Sequence, residues 1–314
     1  MQVITKLQEF PDLTYSVVSS GTFDGVHRGH QKILQRLVEV AQQNNGQSVV
    51  ITFSPHPRVF FGENVFLINS LEEKIKLLAQ TGIDYLLILP FNETLANLEA
   101  EEFVEKLYIE AIQTKKLVIG YDHHFGKNRR GNFKFLQENI EKYPFEIEEI
   151  SAQDIEEVTI SSTKIRKALL EGDIHTANLY LGYHYTFSGK VVQGDQIGRT
   201  IGYPTANLRL IDENKIIPAD GIYAVKVRLQ EEEFGAMLYI GNRPSLDNNE
   251  KRIEVNIFNF DRDIYGKILE IEFLDFIRSD AKLEGLDALE QRLAQDKLAA
   301  LKILEKELDA RHQT

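Results

Sequence analysis

The stretch GTFDGVHRGH, residues 21–30, lies between a short apolar run and a segment with helical periodicity. Residues 15–19 predict a buried strand, and residues 29–43 predict an amphipathic helix. Gly21 and Gly25 permit a tight turn at which a ligand can approach the backbone closely. The start of a helix attracts anions through its unpaired N–H groups and its dipole. This stretch therefore predicts an α/β domain with an anion site at the turn.

Two histidines stand at the end of this turn. His27 and His30 are three residues apart, so they share a face once helical geometry begins. Two imidazoles over a helix N-terminus form a cradle for phosphoryl oxygens. The alternatives are surface or capping chemistry, or a zinc site completed by His56 or His123, although the spacing of these residues follows no zinc motif.

Strands and helices alternate on either side of this turn up to about residue 180. The further predicted strands are 48–53, 85–89 and 116–119. The predicted helices include 71–80, with a capping box of Ser70 and Glu73 and with Gly82 after its end, and 100–113. Near-continuous apolar strands separated by helices predict a parallel sheet covered on both faces. Ligands of such sheets bind beyond the carboxyl ends of the strands.

The pattern changes near residue 183. The predicted strands there are 185–192, 222–229, 234–240, 254–260 and 268–276, separated by clusters of Gly, Pro, Asn and Asp. Such spacing predicts a small antiparallel barrel or sandwich. Helical periodicity after Leu286 predicts a terminal helix packed on it. A length of 314 residues suits two domains, which we place at 1–182 and 183–314.

Composition narrows the class of protein. The chain has 36 Lys+Arg against 48 Asp+Glu, a formal charge of -12, which disfavours broad nucleic-acid binding. It has no cysteine, which excludes disulfides, thiolate zinc sites and a cysteine nucleophile. Neither a signal-peptide pattern nor an apolar run of roughly 18 residues is visible. We expect a cytoplasmic protein, monomeric or weakly homo-oligomeric, that acts on small molecules without nucleic-acid or membrane partners.

Three further segments carry candidate binding residues. In ISSTKIR, residues 160–166, Ser162 or Thr163 caps a helix whose first turn holds the cations Lys164 and Arg166, which the helix dipole disfavours unless a polyphosphate binds there. The alternative is an ordinary capped surface helix. In the loop after residue 120, Asp122 and Phe125 can contact a flat ring, or Phe125 can belong to the core. In PTAN, residues 204–207, Thr205 and Asn207 offer oxygen donors of the kind Mg²⁺ prefers.

The glycine-rich stretch before PTAN is a candidate phosphate-wrapping loop. Three glycines within nine residues, with Lys190 and Arg199 nearby, suit that role, and ordinary barrel turns are the alternative.

The strings in the first half resemble a known superfamily. GTFDGVHRGH resembles the signature of nucleotidyltransferases with the H-x-G-H motif, and TFSPHP, residues 52–57, resembles a string of prokaryotic FAD synthetases. In that family the I-S-S-T-x-I-R string contacts ATP phosphates opposite the H-x-G-H turn. The resemblance implies ATP binding by Gly21, Phe23, Asp24, His27, His30, Ser162, Thr163, Lys164 and Arg166. It implies flavin binding by His56, Asp122 and Phe125.

The second half resembles the riboflavin kinases. GRTIGYPTANL, residues 198–208, carries the likeness, and further matches follow in order at 218–224, 239–244, 252–255, 263–267 and 276–278. The resemblance implies ATP binding by Lys190, Gly194, Gly198, Arg199, Thr205 and Asn207, with Mg²⁺ at the last two. Glu254 would be the catalytic base and, with Arg278, a flavin contact. The chain departs from the family at DHHFG, residues 122–126, where many relatives have D-F-x-F-G, and at GNRPS, residues 241–245, where many have G-T-x-P-T.

Together these likenesses identify a member of the bifunctional riboflavin kinase/FAD synthetase family over nearly the whole chain. The fold expected is a Rossmann-like nucleotidyltransferase domain followed by a riboflavin kinase barrel. The barrel would phosphorylate riboflavin with ATP and Mg²⁺ to FMN, and the first domain would adenylylate FMN to FAD with release of pyrophosphate. The rival functions are a flavin-binding protein without turnover and an RNA-acting relative of tRNA synthetases, which needs a basic face.

Overall fold

The computed structural model describes residues 1–151, 160–194, 202–242, 251–280 and 285–311. Backbone packing divides the chain into two compact units, Met1–Ser161 and Ser162–Thr314. The boundary at 182/183 stays a prediction, because two helices that precede residue 182 belong to the second unit by packing.

The first unit is built on a six-stranded parallel sheet with strand order β1-β4-β3-β2-β5-β6. Its strands are β1 (Gln2–Ile4), β2 (Ser16–Ser20), β3 (Gln47–Ser54), β4 (Tyr85–Pro90), β5 (Thr114–Gly120) and β6 (Glu146–Ile150). Its helices are α1 (Arg28–Gln43), α2 (Pro57–Phe60), α3 (Leu71–Gln80), α4 (Glu93–Ala96), α5 (Ala100–Phe103) and α6 (Phe133–Glu138). The parallel sheet is confirmed, and β1 and β6 are strands that the periodicity did not predict.

Both faces of the sheet are covered by helices. Successive residues of a strand point to opposite faces, so neighbouring residues pack against different helices. Val17 packs with α1 and α3, whereas its neighbour Val18 packs with α5 and the residues after it. The capping box of α3 is confirmed: the Ser70 hydroxyl accepts the Glu73 N–H, and the Glu73 carboxylate accepts the Ser70 N–H.

The helix predicted at 100–113 is present and takes two forms. The chain is α-helical only to Phe103 and continues as a π-helix over Val104–Ala111. Periodicity does not separate the two forms here, because the π-helix still buries Val104, Leu107 and Tyr108. The wider turn places Tyr108 under the central strand, where its hydroxyl reaches Ser20.

The second unit is a closed barrel with strand order β10-β11-β8-β7-β12-β9, and all its neighbouring strands are antiparallel. Its strands are β7 (Thr186–Val192), β8 (Ala206–Leu210), β9 (Gly221–Leu229), β10 (Glu232–Asn242), β11 (Lys251–Ile257) and β12 (Ile268–Arg278). Its helices are α7 (Ser162–Glu171), α8 (Ile174–Leu181) and the terminal α9 (Leu286–Arg311). The barrel is confirmed over the sandwich alternative. Ala300 of α9 packs on Ala224 and Met237, so the terminal helix lies on the barrel as predicted.

Candidate active sites

The first site is the turn between β2 and α1, at the carboxyl end of the central strand. From β2 the chain passes through α1 to β3, which pairs with one edge of β2, and β5 pairs with the other edge. The turn therefore lies where the strand order reverses, the place at which ligands bind in such sheets. Phe23 and Val26 have φ of 47° and 35°, and Gly25 has φ of 90°. A non-glycine residue in this region costs about 1–3 kcal/mol and persists where its surroundings fix it. The backbone of the turn is therefore strained, and its surroundings hold it in this conformation.

The two histidines stack at the start of α1. Their ring centroids lie 3.6 Å apart at 17°, and the Phe23 ring lies edge-on to His30 at 5.3 Å. His27 Nδ1 accepts the backbone N–H of His30 at 3.4 Å, which places the proton of a neutral His27 on Nε2. Burial, aided by His27 and Lys74, holds the pKa of His30 well below its usual range. His30 is therefore neutral at pH 7.

The loop around the histidines is fixed from inside the protein. Asp24 is buried, and its carboxylate accepts the N–H groups of Ile68 and Asn69 at 3.0 and 3.2 Å. This residue, which the resemblance assigns to ATP, thus also ties the turn to the segment before α3. Sequence analysis missed Lys74, whose buried ammonium donates to the Thr22 carbonyl at 3.0 Å.

An aromatic patch lies beside the carboxyl end of β3. His56 is buried, and its Nδ1 accepts the Arg58 N–H as the cap of α2. Next to it Phe61 is 63% exposed and makes edge contacts with Phe60 and Phe91, with ring centroids 5.3 and 5.8 Å apart. An exposed, convergent aromatic surface suits a flat ring. No local sequence pattern predicts this patch, because its rings come from separate segments.

The loop after β5 places its candidates differently. Asp122 is exposed, whereas Phe125 is buried and packs on Phe103 and Tyr108, the core arrangement that the sequence left open. Between them the half-buried His123 joins a chain of hydrogen bonds: its Nε2 lies 3.2 Å from Ser20 Oγ, which lies 2.6 Å from the buried Tyr108 hydroxyl. Burial, then His124 and Arg129, lower the pKa of His123 to about 4.

This shift predicts acid sensitivity of the first unit. An unfolded histidine binds its proton near pH 6.5, so between pH 6.5 and 4 the unfolded chain binds more protons and the free energy of unfolding falls as pH falls. Because His123 is partly exposed to solvent, we expect the free energy of unfolding to be lower at pH 5 by about 1–2 kcal/mol. His123→Gln should remove this loss. Urea unfolding followed by hydrogen exchange of β2 and β5 peptides at pH 7 and 5 measures it.

The control for this prediction is His124→Gln, which changes the exposed neighbouring histidine. It should keep most of the wild-type dependence on pH, because burial, more than the charge of His124, lowers the pKa of His123. Equal pH dependence in all three proteins would contradict the assignment of this dependence to His123.

The second site is a row of polar residues across three barrel strands. The register pairs Tyr239 of β10 with Glu254 of β11, and Glu254 with Asn207 of β8. The Thr205 hydroxyl lies 3.4 Å from Glu254 Oε2, and the Arg252 guanidinium binds Oε1. Thr205 and Asn207 of PTAN and Glu254 of the segment 252–255, two distant strings of the sequence, thus come together.

The backbone around this row is closely fitted. A Cβ on Gly194 would lie 2.0 Å from the side-chain nitrogen of Asn207, so only glycine leaves room there. The buried Asn256 amide donates to the Pro204 carbonyl at 2.7 Å and fixes the approach to Thr205. Arg252 and Asn256 are functional candidates that sequence reasoning missed, because strand pairing alone reveals their partners.

A cavity of about 510 Å³ opens beside Thr205. Its lining combines apolar side chains with polar and charged ones, Thr205, Asp261, Arg262 and Asp263, which suits a nucleoside. It is lined by Val191, Pro204, Thr205, Ala206, Val255, Ile257, Phe260, Asp261, Arg262, Asp263, Ile264 and Tyr265.

The remaining candidates lie in the second unit. Lys190 is exposed on β7, and Gly198 and Arg199 lie outside the described residues. Arg278 forms a bidentate pair with the buried Asp296 of α9, at 2.8 and 2.7 Å, so its guanidinium fastens the terminal helix to the barrel. The helix α7 begins at Ser162, so Ser162, Thr163 and Lys164 lie in its first turn and Arg166 follows in the next. The cap position is therefore residue 161, one residue before the predicted Ser162 or Thr163.

Comparison with known proteins places these sites in a family. The family model for FAD synthetase matches residues 10–164, and that for riboflavin kinase matches residues 181–304. The bifunctional riboflavin kinase/FMN adenylyltransferase of Listeria monocytogenes is 37% identical over 92% of each chain. That of Escherichia coli K12 is 36% identical over 90% of this chain and 91% of its own. The chain belongs to the bifunctional riboflavin kinase/FMN adenylyltransferase family.

A solved structure extends the likeness to the fold. A crystal structure named as a macrolide-efflux protein from Streptococcus pneumoniae superimposes with a TM-score of 0.86 at 34% identity, covering 95% of this chain and 98% of its own. In the present family member, none of the described helices combines the length and the apolar character that a membrane crossing needs.

Proposed function

We propose that this chain makes FAD from riboflavin in two steps, at two separate sites. The second unit would transfer the γ-phosphoryl group of ATP to riboflavin, and the first would transfer AMP from a second ATP to the resulting FMN. The observation that supports this most directly is that one chain matches both family models, that for FAD synthetase over residues 10–164 and that for riboflavin kinase over residues 181–304. Because both steps use ATP, we place them in the cytoplasm.

In the kinase step, Glu254 would accept the proton of the ribityl 5′-hydroxyl. That oxygen attacks the γ-phosphorus, the bond to the β-phosphate bridging oxygen breaks, and ADP leaves. Arg252 and Thr205 hold the two carboxylate oxygens, so the base is oriented before substrate arrives. The cavity beside Thr205 would take the nucleoside of ATP.

The donor set beside this base fits Mg²⁺. A threonine hydroxyl and an asparagine amide oxygen are hard ligands, and they leave coordination positions for water and phosphate. Gly194, where a Cβ would collide with Asn207, lets the backbone close around that side chain. Thr205 and Asn207 would hold the ion, which when bound neutralises charge on the ATP phosphates.

In the adenylyl transfer, an oxygen of the FMN phosphate attacks the α-phosphorus of ATP. The bond between the α-phosphorus and the bridging oxygen breaks, and pyrophosphate leaves. No base is required, because the FMN phosphate is already an anion. His27 and the neutral His30 would donate hydrogen bonds to the ATP phosphates at the N-terminus of α1, where the helix dipole favours the same charge.

The remaining cations and the flavin contacts are those that the family resemblance implies. It would assign Lys164 and Arg166 to the binding of ATP. The patch around Phe61, with Asp122, offers a surface for the isoalloxazine ring.

A time course tests both steps in one tube. With riboflavin, excess ATP and Mg²⁺, we expect FMN to rise first and then to decline as FAD accumulates, measured by chromatography of the flavins. Removing Mg²⁺ with EDTA should stop FMN formation. A purified chain that binds flavins but converts neither riboflavin nor FMN would favour the non-catalytic rival.

A further inference from the structure

A buried lysine lies beneath the phosphate-binding turn. Lys74 is 6% exposed and occupies the first turn of α3, which begins at Leu71 after the Ser70 cap. The helix dipole disfavours a cation at this end, and burial of an ammonium group is costly. Burial lowers the pKa of Lys74, and the nearby Asp24 opposes this shift. A residue that breaks two local rules at once points to a function for its charge.

The ammonium group of Lys74 contacts both the phosphate-binding turn and the strand β3. Its Nζ donates to the carbonyl oxygen of Thr22 at 3.0 Å and to Thr52 Oγ1 at 3.4 Å. The Thr52 hydroxyl donates to the same Thr22 carbonyl at 3.3 Å. Thr22 begins the turn and Thr52 lies near the end of β3, so Lys74 binds the turn to the neighbouring strand.

The same turn is also held by a second buried charge. Asp24 binds the backbone N–H groups of Ile68 and Asn69, just before the helix that carries Lys74. The turn is thus anchored at Thr22 and at Asp24. Phe23 lies between these two anchors and Val26 follows them, and both have positive φ. The two anchors therefore keep a strained backbone in the one conformation that leads into His27 and His30.

We propose that Lys74 is a positioning residue for adenylyl transfer, holding the phosphate-binding turn from beneath through Thr22 and Thr52 without touching substrate. This inference rests on the adenylyl transfer proposed for the turn. It has an electrostatic consequence as well. The groups whose charge lowers the pKa of His30 are His27 on the same turn and Lys74 on α3. Without the lysine, His30 should therefore bind a proton at higher pH.

The test compares Lys74→Met, Lys74→Arg and, as a matched control, Lys76→Met on the exposed side of the same helix. Lys74→Met should lower kcat for FAD formation from FMN by about 100-fold, the scale of a displaced catalytic group, with a smaller change in KM. Lys74→Arg should restore part of the rate. FMN formation from riboflavin by the same preparations should stay unchanged, as should both rates in the control.

The pH dependence separates positioning from simple support of the fold. In Lys74→Met the imidazole signals of His30, followed by NMR, should titrate at higher pH than in the wild type. The acid limb of FAD formation should move the same way. Full activity of Lys74→Met, or an unmoved titration of His30 in a folded variant, would overturn the proposal.

A second variant tests the proposal in case Lys74→Met does not fold. If hydrogen exchange shows that β2 and β5 have lost protection in Lys74→Met, Thr52→Val removes one contact of the ammonium with almost no change of shape. Its rate of FAD formation should fall by about tenfold, and an unchanged rate would overturn the proposal. A wild-type chain that forms no FAD would contradict the proposed function instead.

Discussion

A chain carrying His30→Ala should make FMN from riboflavin at the normal rate and almost no FAD. His30 lies in the first turn of α1, stacks on His27 and has a buried Nδ1 without a hydrogen-bond partner among the described residues. Its removal deletes a preorganised donor at the place where charge builds on the leaving pyrophosphate. Loss of one such donor costs about 10²–10³ in kcat, or roughly 3–4 kcal/mol.

The measurement is the initial rate of each step, with riboflavin or FMN supplied separately. His124→Ala is the control, since it removes an exposed histidine of the same unit. His30→Asn should recover part of the rate, because an amide can donate from a similar position. Loss of both activities together in a folded His30→Ala variant would contradict the assignment of one reaction to each unit.

The phosphate-binding turn was predictable because its determinants are local. Glycine at two positions, a preceding apolar run and a following helical period fix the turn within one short segment. The capping box of Ser70 and Glu73 is equally local, and the structure contains it. For the same reason the alternation of strands and helices predicted the parallel sheet.

What the sequence did not reveal depends on contacts between distant segments. Lys74 sits in LEEKIKLLAQ, where a lysine reads as a solvated residue of an amphipathic helix, and only the approach of Thr22 and Thr52 makes it a buried anchor. Arg278 matches the family string, yet its partner Asp296 lies on the terminal helix. Burial and pairing of this kind arise from tertiary structure, on which periodicity carries no information.

The barrel site shows the same division. PTAN marks Thr205 and Asn207 by sequence, but their convergence with Glu254 requires the register between β8 and β11. Arg252, two residues before Glu254, lies on the same strand face, and the contact between the two side chains follows from that spacing only once the strand is known.

A chain carrying Glu254→Gln should form no FMN from riboflavin and should still convert supplied FMN to FAD. The amide keeps the shape of the carboxylate and its contact with Thr205, but it cannot accept the proton of the attacking hydroxyl. Loss of a general base costs about 10²–10⁴ in rate. The matched control is Glu270→Gln, because Glu270 is also a barrel-strand glutamate paired with an arginine, Arg228. Glu270→Gln removes a charge from the barrel as well, but not beside Thr205, so it should leave FMN formation unchanged. Normal FMN formation by Glu254→Gln would contradict the role of Glu254 as the base.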